Sequence, residues 1–199
     1  MPQEGRFAGL YDLLFSNLLL KKIQENVVKI AMMHDCNRFI DIGCGTGMQL
    51  ALLKNNGIDA IGIDVSPLMI KSAKKKNVDC ILGNAIRTAF PSGYFDCLNI
   101  SFVLHPNKQE DREKIIEEMK RIAKKNGIFI ITDYGVPKRK FASVVINSIE
   151  RMATKEHNIN YRDFIKRGAL EGLIKEKMRI IESCKFFNGA VETIVAISG

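Results

Sequence analysis

The chain has no tryptophan, only three histidines and only five prolines. The missing tryptophan excludes nothing by itself, because 199 residues at 46% hydrophobic and 26% charged are an ordinary globular composition. The scarcity of metal-type ligands says more. His34, His105 and His157 lie far apart with no carboxylate or thiol at ligand spacing, so no metal site is expected. The five cysteines, at 36, 44, 80, 97 and 184, include no CxxC pair. Their odd number and scatter point to buried thiols in a reducing, cytoplasmic setting. Asp12, Ser16 and Asn17 interrupt the leucine-rich stretch, so no apolar run can cross a bilayer, and no signal-peptide pattern appears. No repeat or linker stands out, and the length suits one domain.

What is present concentrates in Asp41-Ile42-Gly43-Cys44-Gly45-Thr46-Gly47, entered from Phe39-Ile40 and left through Met48, Leu50, Leu52 and Leu53. This pattern predicts a strand, a glycine turn and a helix, whose exposed backbone N–H groups form a cradle for an adenosine-bearing ligand. The glycines are spaced GxGxG, with Met48 where a dinucleotide-binding turn needs its third small residue. Asp41 would repel phosphate but can accept hydrogen bonds from a cationic amino group. Cys44 in this turn is either a thiol near a helix N-terminus or, the reading preferred, a small filler. Asp64 ends the apolar run Ala60–Ile63, where a carboxylate can receive both ribose hydroxyls. Ser66-Pro67 then caps a helix carrying Met69, and Cys80-Ile81-Leu82 runs into Gly83-Asn84-Ala85.

Helical spacing of Phe7, Leu10, Tyr11, Leu14, Phe15 and Leu18 predicts one amphipathic helix, and Ile23 to Met33 a second; both could cap the crevice. Strands alternate with helices from Arg38 to Thr132, which implies a parallel sheet with helices on both faces. Strand four is expected over 96–104, a helix over 111–124, and strand five over 128–133 after Asn126-Gly127. Helices over 142–155 and 161–175 follow, then strands over 179–187 and 190–197 joined by an Asn188-Gly189 hairpin turn.

From about Arg38 to Tyr134 the ordered set of motifs resembles the class I S-adenosylmethionine-dependent methyltransferases, type 11 group, which includes the ubiquinone and menaquinone biosynthesis enzymes. The set is the glycine loop, Asp64-Val65-Ser66-Pro67 with Met69, Gly83-Asn84-Ala85, Phe90 to Asp96, and Lys124-Lys125-Asn126-Gly127 leading to Asp133. The resemblance implies a Rossmann-like seven-stranded, mostly parallel sheet ending in an antiparallel hairpin. It implies one methyltransferase domain with a lid at 1–37, a cofactor core at 38–133, an acceptor-side insertion at 134–178 and the hairpin at 179–199. S-adenosylmethionine would be the cofactor, S-adenosylhomocysteine the product. Asp41 and the backbone of Gly43, Cys44, Gly45 and Gly47 would hold its methionine part, and Asp64 its ribose. Val65 and Met69 would flank adenine, Asn84-Ala85 would meet its edge, and Tyr11 and Ser101 complete the set.

His105, where the chain leaves strand four, is the leading general base; its alternative is a capping histidine with no proton to move. Asp133, Tyr134, His157 and Tyr161 could orient an acceptor. Val103-Leu104-His105-Pro106 replaces the Gly-Leu-Arg-Asn typical of quinone-pathway enzymes, which argues against a quinol. No Asn/Asp-Pro-Pro-Tyr/Phe run and no Pro-Cys pair is present, which argues against base or glutamine amides and cytosine carbon as acceptors. The net charge of +8 gathers between Tyr134 and Lys185, which can attract an anionic membrane surface or a nucleic acid, or merely face solvent. A small-molecule or lipid acceptor is thus expected first. An RNA methyltransferase and a catalytically silent cofactor-binding protein remain the alternatives, and no protein partner is implied.

Overall fold

The computed structural model describes residues 17–138, 146, 150 and 153–198. Its framework is a seven-stranded sheet in the order β3-β2-β1-β4-β5-β7-β6. The strands are β1 (Phe39–Ile42), β2 (Ala60–Asp64), β3 (Asp79–Leu82), β4 (Phe95–Ser101), β5 (Ala123–Tyr134), β6 (Arg179–Phe186) and β7 (Val191–Ile197). The first five are parallel, while β7 runs antiparallel between β5 and β6. Central strands with both faces covered are mostly apolar; β1 is buried along its whole length with Asp41 as its one polar residue, and Phe129, Ile130 and Ile131 of β5 are fully enclosed.

The helices are α1 (Asn17–Met33), α2 (Met48–Asn55), α3 (Pro67–Lys74), α4 (Gln109–Ile122), α5 (Lys155–Lys166) and α6 (Ala169–Ile174). Val27, Val28, Ile30 and Ala31 of α1 pack on Phe39, Leu53, Ile130 and Val195, closing one face of the sheet. The Ser66 hydroxyl accepts a hydrogen bond from the Met69 N–H at 3.4 Å and Pro67 takes the first helical position, so α3 starts as its sequence predicts. Strand order reverses between β1 and β4, which leaves a crevice beyond their carboxyl ends.

Several boundaries differ from expectation for local reasons. β4 stops at Ser101 rather than 104, because Phe102 adopts φ 58° and donates its N–H to the Thr132 carbonyl at 2.8 Å. β5 begins at Ala123, which pairs with Phe95, and Lys124–Gly127 protrude before pairing resumes at Ile128. The single helix expected over 161–175 is two, broken at Gly168 with φ 92°. The Asn188-Gly189 turn is a longer loop: Phe186 and Val191 are the last pair, and Asn188 and Ala190 offer carbonyls to the N–H groups of Lys138 and Gly135. The helices expected over 7–18 and 142–155 fall largely outside the described residues, although Ile146 and Glu150 are helical.

The cysteine reading needs correction. Cys36 and Cys97 form a disulfide with Cα atoms 5.6 Å apart, because Phe39 of β1 lies beside Cys97 of β4 and brings together residues 61 apart in sequence. Cys44, Cys80 and Cys184 are free thiols.

One buried cation joins the C-terminal helices to this core. Arg112 of α4 is 0% exposed and donates from Nε to the Leu104 carbonyl at 3.1 Å, and from Nη2 to the carbonyls of His105 at 3.3 Å and Asn160 at 2.5 Å. Its Nη1 meets Asp163 of α5 at 2.9 Å. Replacing Arg112 by Leu removes one donor from each of those carbonyls and the buried partner of Asp163, although Leu104 keeps the Asn107 N–H at 3.1 Å, and a loss of about 3 kcal/mol in urea-monitored stability is expected; a loss below about 1 kcal/mol would contradict this role.

Candidate active site

Beyond the carboxyl ends of β1 and β4 lies a cleft of about 650 Å3. Asp41, Gly43, Cys44, Gly45, Asp64, Val65, Met69, Asn84, Ala85, Ser101 and His105 all line it, joined by Leu20, Ile23 and Gln24 of α1. Of the residues expected there, Gly47 is not on its wall, and Tyr11 lies outside the described residues. Gly47 has a packing role: a Cβ on it would sit 2.9 Å from the Ala73 Cβ, so its absence lets α2 approach α3. Gly45 has φ 52°, and a Cβ there would meet nothing within 4 Å, so this turn presents bare backbone to open space.

Two carboxylates shape this end. Asp64 accepts from the N–H groups of Gly45 and Ser66, both at 2.8 Å, which locks the side chain between the glycine turn and the start of α3. Each oxygen keeps a further lone pair for a ligand hydroxyl. Asp41 is 3% exposed and accepts a 2.7 Å bond from the Asn99 side-chain amide. Burial pushes its pKa up to about 7, opposed by the Asn99 bond and aided by the charge of Asp64. With its folded value raised above 3.8, Asp41 contributes stability that is complete below pH 3.8 and lost as pH rises through about 7. Burial first, then the charges of Asp41 and Asp64, push the Cys44 thiol upward as well, which makes it a filler of the turn.

The other end of the cleft is built around His105. Asp133, fully buried at the end of β5, accepts from the N–H groups of Leu104, His105 and Tyr134 at 2.9, 3.1 and 2.7 Å. His105 Nδ1 lies 2.7 Å from the same carboxylate. A carboxylate receiving three backbone donors is matched by a fourth donor, so Nδ1 carries a hydrogen toward Asp133. Tyr134, His157 and Tyr161 surround the ring, with centroids 4.6, 5.2 and 6.4 Å away.

Glu150, 2% exposed, completes the cluster: Oε1 accepts from the Tyr134 hydroxyl at 2.8 Å, and Oε2 lies 2.5 Å from His157 Nε2. Burial works to raise the Glu150 pKa, but the His157 contact, the field of His105 and the Tyr134 hydroxyl outweigh it and hold it below the usual range. The expectation that the histidines stay apart is therefore overturned for His105 and His157, 52 positions apart in the chain but close in the fold. Asn99, Arg112 and Glu150 carried no sequence signal. The first lies mid-strand, the second reads as one helix charge among many, and the third is a lone acid in a basic stretch. In that stretch Arg167, Lys177 and Lys185 pair with Asp163, Glu113 and Glu171, so part of the basic excess is internally compensated.

Residues 40–131 match the family model described as a methyltransferase domain. The demethylmenaquinone methyltransferase of Paenarthrobacter aurescens is 30% identical over 125 residues, covering 59% of this chain and 49% of that protein. The chain spans about half the length of the first curated relatives it matches. The crystal structure of the PH0226 protein from Pyrococcus horikoshii superposes with a TM-score of 0.71 at 17% identity, covering 94% of this chain and 93% of the other. Magnesium protoporphyrin IX methyltransferase from Synechocystis, solved with bound S-adenosylhomocysteine, gives 0.65 at 15% identity, covering 92% and 84%. No described helix is long and apolar enough to cross a membrane. Residues 40–131 thus match a methyltransferase domain, and they lie on the seven-stranded sheet shared in fold with these solved structures.

Proposed function

We propose that the chain transfers a methyl group from S-adenosylmethionine to a small, largely apolar or lipid-like acceptor held against His105. The observation that carries this reading is the continuity of one cleft from Gly45 and Asp64 at one end to His105 at the other. The residues fit the cofactor. The open side of Gly45 admits a ligand against the backbone, and the Asp41–Asp64 pair suits an ammonium group and ribose hydroxyls while repelling the phosphates of a dinucleotide. When bound, S-adenosylmethionine supplies an electrophilic methyl carbon whose bond to sulfur breaks with the electron pair staying on sulfur.

The chain's own work is alignment, exclusion of water and handling of one proton. Asp64 receives the ribose hydroxyls, Asp41 the amino group, and Val65, Met69, Asn84 and Ala85 form the adenine wall. Leu20, Ile23, Ile86, Phe102 and Val103 make much of the remaining lining apolar, which favours a greasy acceptor. His105, its Nδ1–H held by Asp133, takes the acceptor's proton on Nε2 as the new bond to carbon forms.

Three outcomes are expected. Asp64→Ala weakens S-adenosylhomocysteine binding by about 100-fold in calorimetry, the worth of two hydrogen bonds to a charged acceptor; unchanged affinity overturns the ribose assignment. Because the ligand ammonium favours the ionised form of Asp41, binding below pH 7 releases its proton. Affinity should therefore rise about 3- to 10-fold between pH 6 and 8 and then level, with Asp41→Asn weaker and flat. His105→Asn should cut transfer of labelled methyl into a cell-extract lipid and metabolite pool by about 100-fold or more. Its S-adenosylhomocysteine affinity should stay within about threefold, a separation expected when a group acts on the acceptor alone.

A further inference from the structure

Three ligand-type atoms converge on the acceptor end of the cleft. His105, Glu150 and His157 each offer one donor atom, and these atoms all lie within 4.8 Å of one another. His105 Nε2 is 3.9 Å from Glu150 Oε1, and His157 Nε2 is 2.5 Å from Glu150 Oε2. Bonds of about 2.0–2.2 Å from imidazole and carboxylate to a common tetrahedral ion keep ligand atoms about 3.3–3.5 Å apart. Seating all three on one ion opens the 2.5 Å His157–Glu150 contact by about 1 Å and closes the wider separations, which reach up to 4.8 Å, toward the same spacing.

We propose that His105, Glu150 and His157 bind a divalent transition-metal ion at the acceptor end of the cleft. Two imidazoles and a carboxylate with no thiol suit Zn2+, Fe2+ or Mn2+ and disfavour Cu+. The supporting groups are already placed. Asp133 holds the Nδ1–H of His105 at 2.7 Å, the carboxylate–histidine arrangement that orients metal-bound imidazoles, and the Tyr134 hydroxyl holds Glu150 Oε1 at 2.8 Å. His105 and Glu150 are 1% and 2% exposed, whereas His157 is half-buried and lines the cleft with His105, so the ion is enclosed on the protein side. A divalent charge there would also offset the two buried carboxylates that flank His105.

Three protein ligands leave further coordination positions on an ion, and two of the three, His105 and His157, line the cleft. They would take an oxygen or nitrogen donor of the acceptor, which narrows the substrate class to apolar molecules with a chelating heteroatom. A proton and an ion compete for the same Nε2 lone pair, so an ion there would take over from His105 the lowering of the acceptor's proton affinity, and that proton would pass to solvent. This deepens the methyl-transfer reading of the same cleft and rests on it for the acceptor, not for the ion.

The test is titration of the metal-free full chain with Co2+, read by visible d–d absorption, then displacement by Zn2+, with S-adenosylhomocysteine binding measured on the same sample. One saturable site with the spectrum of a four- or five-coordinate ion supports the proposal. His157→Asn should weaken Zn2+ at least about 100-fold, with Glu150→Gln as the second variant and circular dichroism confirming that each folds. Absence of a saturable site in the wild-type chain overturns the metal while S-adenosylhomocysteine binding leaves the methyltransferase reading intact. Equal Zn2+ affinity in wild type and both folded variants places the ion elsewhere and also overturns it. Metal binding lost in the variants without any S-adenosylhomocysteine binding upholds the site and sinks the cofactor reading.

Discussion

The guanidinium of Arg112, sealed from solvent beneath the acceptor end of the cleft, is the constraint on which that end depends. Its donors reach the carbonyls of Leu104 and His105 on one side, and Asn160 and Asp163 of α5 on the other. Burial works to lower its pKa, while the bond to and charge of Asp163 work to keep it charged. A buried pair of this kind contributes little net stability compared with apolar groups in place of both partners, whereas losing the cation alone is costly, and the pair tolerates only one placement of its members. What it secures is geometry: the loop carrying His105 and the helix carrying His157 have one relative position. Asn160 adds to this through its side-chain amide, which donates to the Pro106 carbonyl at 2.8 Å.

The two ends of the cleft use buried carboxylates in opposite ways. Asp133 is satisfied from every side by backbone N–H groups and a ring, so it is a fixed part of the fold. Asp41 has one short amide partner and stands near the charge of Asp64, so the empty protein holds it at a cost that appears as its raised pKa. Such frustration is common where a ligand supplies the missing counter-charge. The left-handed backbone at Phe102 is a second cost at this site, because a bulky residue rarely adopts φ 58°. It turns the chain out of β4 so that the N–H groups of Leu104 and His105 meet Asp133.

Much of the cofactor half was legible from sequence because its determinants are local. Ser66-Pro67 starts a helix through contacts within one turn, and the glycines at 43, 45 and 47 set a turn through their own dihedral angles. The alternation of apolar runs with helical segments predicts the parallel sheet, and the closing antiparallel hairpin agrees with what the resemblance implied. Where neighbours intervened, local reading failed. The Asn188-Gly189 turn is remodelled by hydrogen bonds to the segment leaving β5.

The sequence by itself therefore determined the order of elements, the glycine turn and the acid at position 64, since each follows from residues within a few positions of one another. Only the tertiary structure decided the rest: the Cys36–Cys97 bond, the Asp133–His105 contact, and the meeting of His105 with Glu150 and His157. These join residues 61, 28, 45 and 52 positions apart. The physical reason is that such pairs are made by strand order and helix docking, which bring side chains together without leaving a pattern along the chain.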